Sequence, residues 1–420
     1  MHDCPHSLSF RGMTLTHHDL PLNDAGSPAR GVTHRGRPSR NGRGDPRRLA
    51  VAALALLAMA CAGLVTIAPS APALQKGLID DRLEHSAVAS QRAAIIHEIG
   101  PRLRARWVRL TVDWATLEAK RGTYSPSVVA RLDALVDGLH AAHVKVIITT
   151  YRMPTWAQNS HWWKHPPPGY ARGPQPFYAI RSGALGDYAD LGRFLAAHFA
   201  GRVQALECWN EPNLWYYIYP QRTARDANYG ARTYLAMLRA FNRGIDRAHT
   251  SVRVVAGATA PLGRNDRWRT SPQKFARYLK THHAAAAFDV YSHHPYTTGG
   301  TRHPAPNRAP NDTSTTVTLY NLNTLLRLFP GKPFYLTEYG YNTRPSAYFG
   351  GFSVTKTIQA RYLKTAYSYA RRYKRVKLLL WFLLYDVRPA SGPAQYGTYT
   401  GLRTSRGSRK PAWYAFRAIR

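Results

Sequence analysis

Two short runs hold the residues best placed to do chemistry. The first is Glu207-Cys208-Trp209-Asn210-Glu211-Pro212-Asn213-Leu214, entered from the apolar run 203–206. The second, 127 residues after Glu211, is Phe334-Tyr335-Leu336-Thr337-Glu338-Tyr339-Gly340. In each, a strand-like apolar run ends at a Glu, and a Pro or Gly then turns the chain out. A carboxyl group mounted at a strand end can give or take a proton, and Asn210 beside Glu211 can hydrogen-bond a hydroxyl. Two carboxylates at the same ends of two parallel strands suit cleavage of a glycosidic bond: one serves the leaving oxygen, the other the anomeric carbon. The chain holds only six Glu, at 84, 98, 118, 207, 211 and 338. It does not use Glu as spare surface charge, and a carboxylate in apolar surroundings is costly without a purpose. The competing reading, that each merely pairs with an arginine, explains either one better than it explains both.

The elements that must carry these residues follow from the alternation of the chain. Short β-type runs at 77–80, 107–111, 144–149, 203–209, 253–256, 288–293, 334–338 and 377–382 predict eight strands. Segments with helical spacing lie between them, at 87–99, 126–142, 185–200, 227–248, 272–282, 316–328 and 355–373, with a last one at 413–419. Val128, Val129, Leu132, Leu135, Val136 and Leu139 show the amphipathic period. Eight strands alternating with eight helices predict an α/β chain folded as a single (β/α)8 TIM barrel. An open doubly wound sheet is the alternative, but no glycine-rich phosphate loop follows the first strand. Links from helix to strand are short, whereas the strand-to-helix links 151–183, 212–226, 295–315, 339–354 and 385–410 are long. In a barrel those long loops crowd the C-terminal face, where active sites form. They are rich in aromatics, whose rings can pack on the C–H faces of sugars. Most are expected to pack on one another; Trp156, Trp163 and Trp215 are the expected sugar platforms.

Other strand ends offer helpers. Arg109, in Val108-Arg109-Leu110, sits where a guanidinium needs a carboxylate. It can hold Glu338 ionised; the alternative partner is Asp113. His294 and Tyr296 end the sixth strand and can orient the acid Glu and hydrogen-bond the nucleophile Glu. Trp381 on the eighth strand can floor the subsite of the bond being cut, or be a core residue. Glu207 shares strand parity with Trp209 and Glu211, so all three are expected on one face. Lying deeper, Glu207 is expected to be a buried partner for an Arg or backbone donor.

Trp209-Asn210-Glu211-Pro212, Thr337-Glu338-Tyr339-Gly340 and His294-Pro295-Tyr296 resemble glycoside hydrolase clan A, the retaining glycosidases built on (β/α)8 barrels. The resemblance implies that Glu211 is the acid/base, with Asn210 beside it, and that Glu338 is the nucleophile. It implies accessory positions for Arg109, His294, Tyr296 and Trp381. The run from Glu207 to Leu214 looks like the β-xylosidase and iduronidase family, family 39. Thr337-Glu338-Tyr339-Gly340-Tyr341 looks more like the cellulase family, family 5. Non-catalytic carbohydrate binding on such a barrel is a competing function, though it has no need of both glutamates. Transglycosylation on the same site differs only in the acceptor.

Composition bounds the setting. The 420 residues carry a net charge of +35 and include 26 Tyr and 10 Trp. Residues 1–48 hold eight Arg and four Asp without an apolar period and read as a disordered basic segment. Residues 49–73 are uncharged, follow Arg47-Arg48, and end in Ala71-Pro72-Ala73. They read as a signal peptide or a membrane anchor, placing the protein outside the cell or at its envelope. That leaves residues 74–420 as the glycoside hydrolase domain, with a net charge of about +31 and one cysteine, Cys208. Such a charge attracts an anionic polysaccharide or cell-wall polymer. The arginines are scattered and no nucleic-acid motif accompanies them, so no nucleic-acid partner is expected. No metal-ligand spacing is present, and no cofactor is expected.

Overall fold

A computed structural model describes residues 74–297, 305–345, 353–387 and 398–420. The basic segment 1–48 and the apolar segment 49–73 lie outside the described residues. Among the described residues no helix is long and apolar enough to cross a membrane.

Eight strands form: β1 (Gln75–Ile79), β2 (Trp107–Asp113), β3 (Lys145–Tyr151), β4 (Ala205–Glu207), β5 (Arg253–Thr259), β6 (Val290–His293), β7 (Phe334–Leu336) and β8 (Val376–Phe382). All pair in parallel and in chain order, and β8 returns to β1 to close the barrel. The helical segments, in the same order, are α1 (Asp81–His85), α2 (Ala89–His97), α3 (Trp114–Leu117), α4 (Pro126–Ala141), α5 (Leu185–His198), α6 (Tyr229–Asp246), α7 (Pro272–Thr281), α8 (Asn323–Leu326), α9 (Lys356–Ala370) and α10 (Pro411–Ala418). This is the (β/α)8 barrel that the alternation predicts.

Strands buried on both faces must be apolar on both, and alternate residues feed two cores. Trp107, Ile147, Ala205, Val255, Val290, Tyr335, Leu378 and Leu380 fill the barrel interior. Their neighbours Val108, Val146, Ile148, Leu206 and Leu379 join Leu135, Leu139, Leu191 and Phe241 of the helices in the outer layer. Gly77 makes room for the large interior residues: a Cβ there would stand 2.4 Å from both Leu380 and the Trp107 carbonyl. Lys76 of β1 donates from Nζ to the carbonyls of Phe416 (2.9 Å) and Ile419 (2.6 Å). The ammonium thus meets the negative end of α10 and ties the two ends of the barrel domain together.

Two departures from the sequence reading have local causes. The helix expected over 316–328 shrinks to α8. The Asn321 side chain accepts from Thr318 N (2.8 Å) and donates to Thr316 O (2.9 Å), and Val317 N bonds across to Pro261 O (2.7 Å). These local bonds hold the threonine-rich start of the segment out of the helix. The strand expected to run to residue 209 stops at Glu207, because Trp209 takes a φ of 66°.

Candidate active site

The site is built around Arg109, which points from β2 into the mouth of the barrel and is 1% exposed. A buried guanidinium needs acceptors on all its edges. Its Nε donates to Glu207 Oε2 and to Thr149 Oγ1, Nη1 to Glu338 Oε1 and Nη2 to Asn210 Oδ1, each at 2.7 Å. One side chain from β2 thereby fixes residues that follow β4 and β7. Burial opposes its charge, but the Glu207 and Glu338 carboxylates more than offset that and raise its pKa. Asp113, the alternative partner, instead pairs with Arg152 at 3.0 Å. Glu207 is fully buried and accepts from Arg109, Thr149 and Thr337, the structural role expected of it.

Glu211 and Glu338 stand four and two residues past the ends of β4 and β7. Their side chains are 15% and 12% exposed, opening to the mouth. An oxygen of each, together with a nitrogen of His294, lies within 4.8 Å of the others. The shared-face expectation for Glu207, Trp209 and Glu211 fails. The positive φ at Trp209 and at Glu211 (35°) ends the two-residue period. Trp209 turns outward against Tyr188, with ring centroids 6.0 Å apart, while Glu207 and Glu211 both reach the mouth. Asn213 holds the strained turn: its Oδ1 accepts from Ala260 N at 2.8 Å and its Nδ2 donates to Thr270 O at 3.0 Å.

The two carboxyls have different surroundings. Glu338 accepts from Arg109 and from the Tyr296 hydroxyl at 3.0 Å. Burial raises its pKa on balance, although Arg109 and Tyr296 pull it back down. Among the described residues no arginine pairs with Glu211; burial and then the Glu338 charge hold its pKa well above the carboxylate range. His294 completes the distinction. Burial, then Arg109 and His293, keeps it neutral. Its Nε2 lies 3.2 Å from Thr337 Oγ1, whose own proton goes to Glu207 Oε1 at 2.9 Å. Thr337 must therefore accept, and the single imidazole proton sits on Nε2; the network assigns the tautomer. Nδ1 is then a bare acceptor 3.0 Å from Glu211 Oε1. That contact is a hydrogen bond only when Glu211 carries the proton. The network thus places the proton of the pair on Glu211 and leaves Glu338, held by Arg109, as the ionised carboxylate.

Of the sequence candidates, Arg109, Asn210, Glu211, His294, Tyr296 and Glu338 come together. Arg109 takes the Asn210 carbonyl, which leaves the amide Nδ2 as the donor for a ligand. Trp156 and Trp163 are half-buried in the loop after β3, with indole N–H groups given to Glu118 O and Gln158 Oε1, both at 2.9 Å. Trp381 and Trp215 do not reach the mouth. Trp381 is fully buried, donates to Thr400 O (2.9 Å) and faces the helices, because Leu378 and Leu380 take the inward parity of β8. Trp215, 6% exposed, is the centre of a loop cluster with Tyr170, Phe177 and Trp268. Phe382, half-buried, takes the inward position next to Trp381. Thr149 and Thr337, which hydrogen-bond Arg109, Glu207 and His294, are site residues that sequence reading missed. Burial, then the charges of Glu211 and Glu338, pushes the Tyr217 phenol well up. Glu211, His294 and Glu338 are also the described group whose atoms could share a cation. Both His294 nitrogens already have protein partners there, and Arg109 already supplies the positive charge. Cys208 is buried and its thiol is pushed up to about 12 by burial, so it is inert.

No protein-family model matches the chain, and no curated protein matches it in sequence. Solved structures do match in fold. A family 39 glycoside hydrolase from Bacteroides cellulosilyticus WH2 is similar over 83% of this chain, with 17% identity and a TM-score of 0.58. This chain spans 63% of that protein's length. A GH5_18 protein from Streptomyces cattleya, in complex with GlcNAc, is similar over 83% of this chain and 80% of its own, at 15% identity and a TM-score of 0.62. An exo-β-1,4-mannosidase from Opitutaceae bacterium strain TAV5 is similar over 84% of this chain and 61% of its own, at 14% identity and a TM-score of 0.56. At these identities the likeness establishes the barrel fold that clan A glycoside hydrolases share.

Proposed function

We propose that the protein is a retaining glycoside hydrolase that cleaves β-linked O-glycosidic bonds of a poly- or oligosaccharide. The observation that carries this reading is the pair Glu211 and Glu338, an oxygen of each within 4.8 Å of the other, with Arg109 and Tyr296 on Glu338 and His294 on Glu211. Carboxyl groups about 5–5.5 Å apart leave no room for water and favour double displacement; inverting pairs stand about 6.5–9.5 Å apart. Glu338, held by Arg109 and Tyr296, attacks the anomeric carbon. Glu211 gives its proton to the leaving oxygen, and His294 orients it. In the second half Glu211 takes a proton from the water that opens the glycosyl-enzyme. Asn210 Nδ2 donates to a hydroxyl of the bound sugar. A β-linked substrate is supported by the fold neighbours, among them an exo-β-1,4-mannosidase and a β-glycosidase. The apolar segment 49–73 supports action outside the cell or at its envelope.

The test is a panel of aryl β-glycosides and soluble polysaccharides with wild type and Glu338→Ala. The variant should lose turnover and recover part of it with azide, which replaces the nucleophile on the opposite face and yields a product of inverted configuration. Rescue that yields only retained product would remove Glu338 from this role.

A further inference from the structure

The loops after β3, β4 and β5 line an open hollow of about 730 Å³. Trp162, Tyr219 and Trp268 supply its rings, and Arg222 and Arg267 its charge. Trp162 and Trp268 are half-buried. Tyr219 links them, with ring centroids 5.8 Å from Trp162 and 6.0 Å from Trp268. The Arg267 guanidinium lies 4.3 Å from the Trp268 ring centroid. Arg222 gives Nη1 to Asn265 O at 2.8 Å. Among the described residues neither arginine has an ion-pair partner. Asp266 is the one acid in the lining, and its Oδ1 is taken by the backbone N–H groups of Trp268 and Arg269, both at 2.8 Å. Lys274 on α7 stands close behind: burial, then Arg222, lowers its pKa. Arg222, Arg267 and Lys274 thus gather around the hollow against one carboxylate, that of Asp266.

The hollow shares its frame with the acid. Gln221 Nε2 donates to the carbonyl of Pro212, the residue after Glu211, at 2.9 Å. Gln221 N donates to Arg267 O at 3.1 Å, and Trp215 N to Trp268 O at 2.8 Å. In a double displacement the leaving group departs on the side of the acid, away from the nucleophile. The hollow is centred on the loop of β4, which carries Glu211, while Glu338 follows β7.

We propose that this hollow is a leaving-group-side subsite for a carboxylate-bearing sugar, a uronic acid residue of an acidic polysaccharide. Trp162 and Trp268 take the flat C–H faces of the ring. Arg222 and Arg267 take the carboxylate, for which a guanidinium offers two parallel donors. The net charge of +35 draws the polymer in. The assignment to the leaving-group side rests on the glycosidase reading above; the binding chemistry does not.

The experiment uses the full chain carrying Glu338→Gln, so that no ligand is consumed. Hexamers of galacturonate, mannuronate and glucuronate, each with its neutral methyl ester, are titrated by calorimetry at low salt. At least one acid form should bind about tenfold or more tighter than its ester. Adding Arg222→Ala and Arg267→Ala should erase that difference, and Trp268→Ala should weaken acid and ester alike. Arg222→Lys with Arg267→Lys keeps the charge and should retain only part of the preference. Unchanged melting temperatures identify these losses as local. Equal affinity for acid and ester in all three pairs, or no binding of any acid form, overturns the proposal. So does a preference that survives the double alanine variant, which would assign it to the general positive surface. Failure of the glycosidase reading shows up separately, as wild type that turns over no glycoside while these titrations hold.

Discussion

Thr337→Val isolates the proton on Glu211. Thr337 is fully buried, and its hydroxyl donates to Glu207 Oε1 at 2.9 Å while lying 3.2 Å from His294 Nε2. Valine keeps the shape and removes the hydroxyl. The imidazole then loses the acceptor that holds its proton on Nε2, and the Nδ1–H tautomer becomes available. From Nδ1, 3.0 Å from Glu211 Oε1, that proton favours the ionised carboxylate. A hydrogen bond to a charged group contributes roughly 1.5–3 kcal/mol, and a pKa unit corresponds to about 1.4 kcal/mol. The Glu211 pKa should fall by about 1–2 units. Glu211 works protonated, so a lower pKa removes the acid at a lower pH. The assay is the pH dependence of kcat/KM on a substrate with a basic leaving group, which needs the proton. The alkaline limb should move down by about 1–2 pH units, and much less with a nitrophenyl glycoside. Stability should drop by roughly 1–3 kcal/mol for the donor lost from Glu207, which keeps Arg109 and Thr149. A folded variant whose alkaline limb stays in place, or moves up, refutes the chain from Thr337 through His294 to Glu211.

Glu211→Ala should slow cleavage severely for a sugar leaving group and much less for an activated aryl group. With the activated substrate a burst of aglycone should precede slow turnover, because the same residue must activate water; equal loss on all substrates and no burst would speak against the acid/base role. Burial raises the pKa of Glu84 from 4.5 to about 8, against its hydrogen bonds from Thr111. A raised carboxyl pKa means stability that is present below the unfolded value and lost as pH rises through the folded one. The melting temperature should therefore fall between pH 5 and 8, and Glu84→Gln should flatten that slope, as calorimetric scans will show. Hydrolysis of a neutral aryl glycoside should change little between low and moderate salt, since a neutral ligand is not steered by the positive surface; a steep loss in initial-rate assays would tie that charge to the chemical step.

The sequence by itself determined the barrel and singled out the two glutamates that the fold brings together. Strand-like runs alternate with helical periods, and that pattern depends on local spacing. Glu is rare, so its two placements at strand ends were visible without coordinates. Arg109 and His294-x-Tyr296 were legible for a similar reason, as polar residues at the ends of apolar runs. Three matters were decided only by the tertiary structure. The first is parity beyond a strand end: the positive φ at Trp209 ended the two-residue rule, and no propensity scale registers a turn held by Asn213 and the neighbouring loops. The second is which aromatics are exposed. Trp381 and Trp215 went into packing, because loop aromatics choose among neighbours that only the closed barrel supplies. The third is the protonation of the pair. Whether a Glu is acid or base depends on who holds Arg109 and where the His294 proton sits. Those are contacts between residues as much as 229 positions apart, fixed by hydrogen-bond geometry that linear order does not contain.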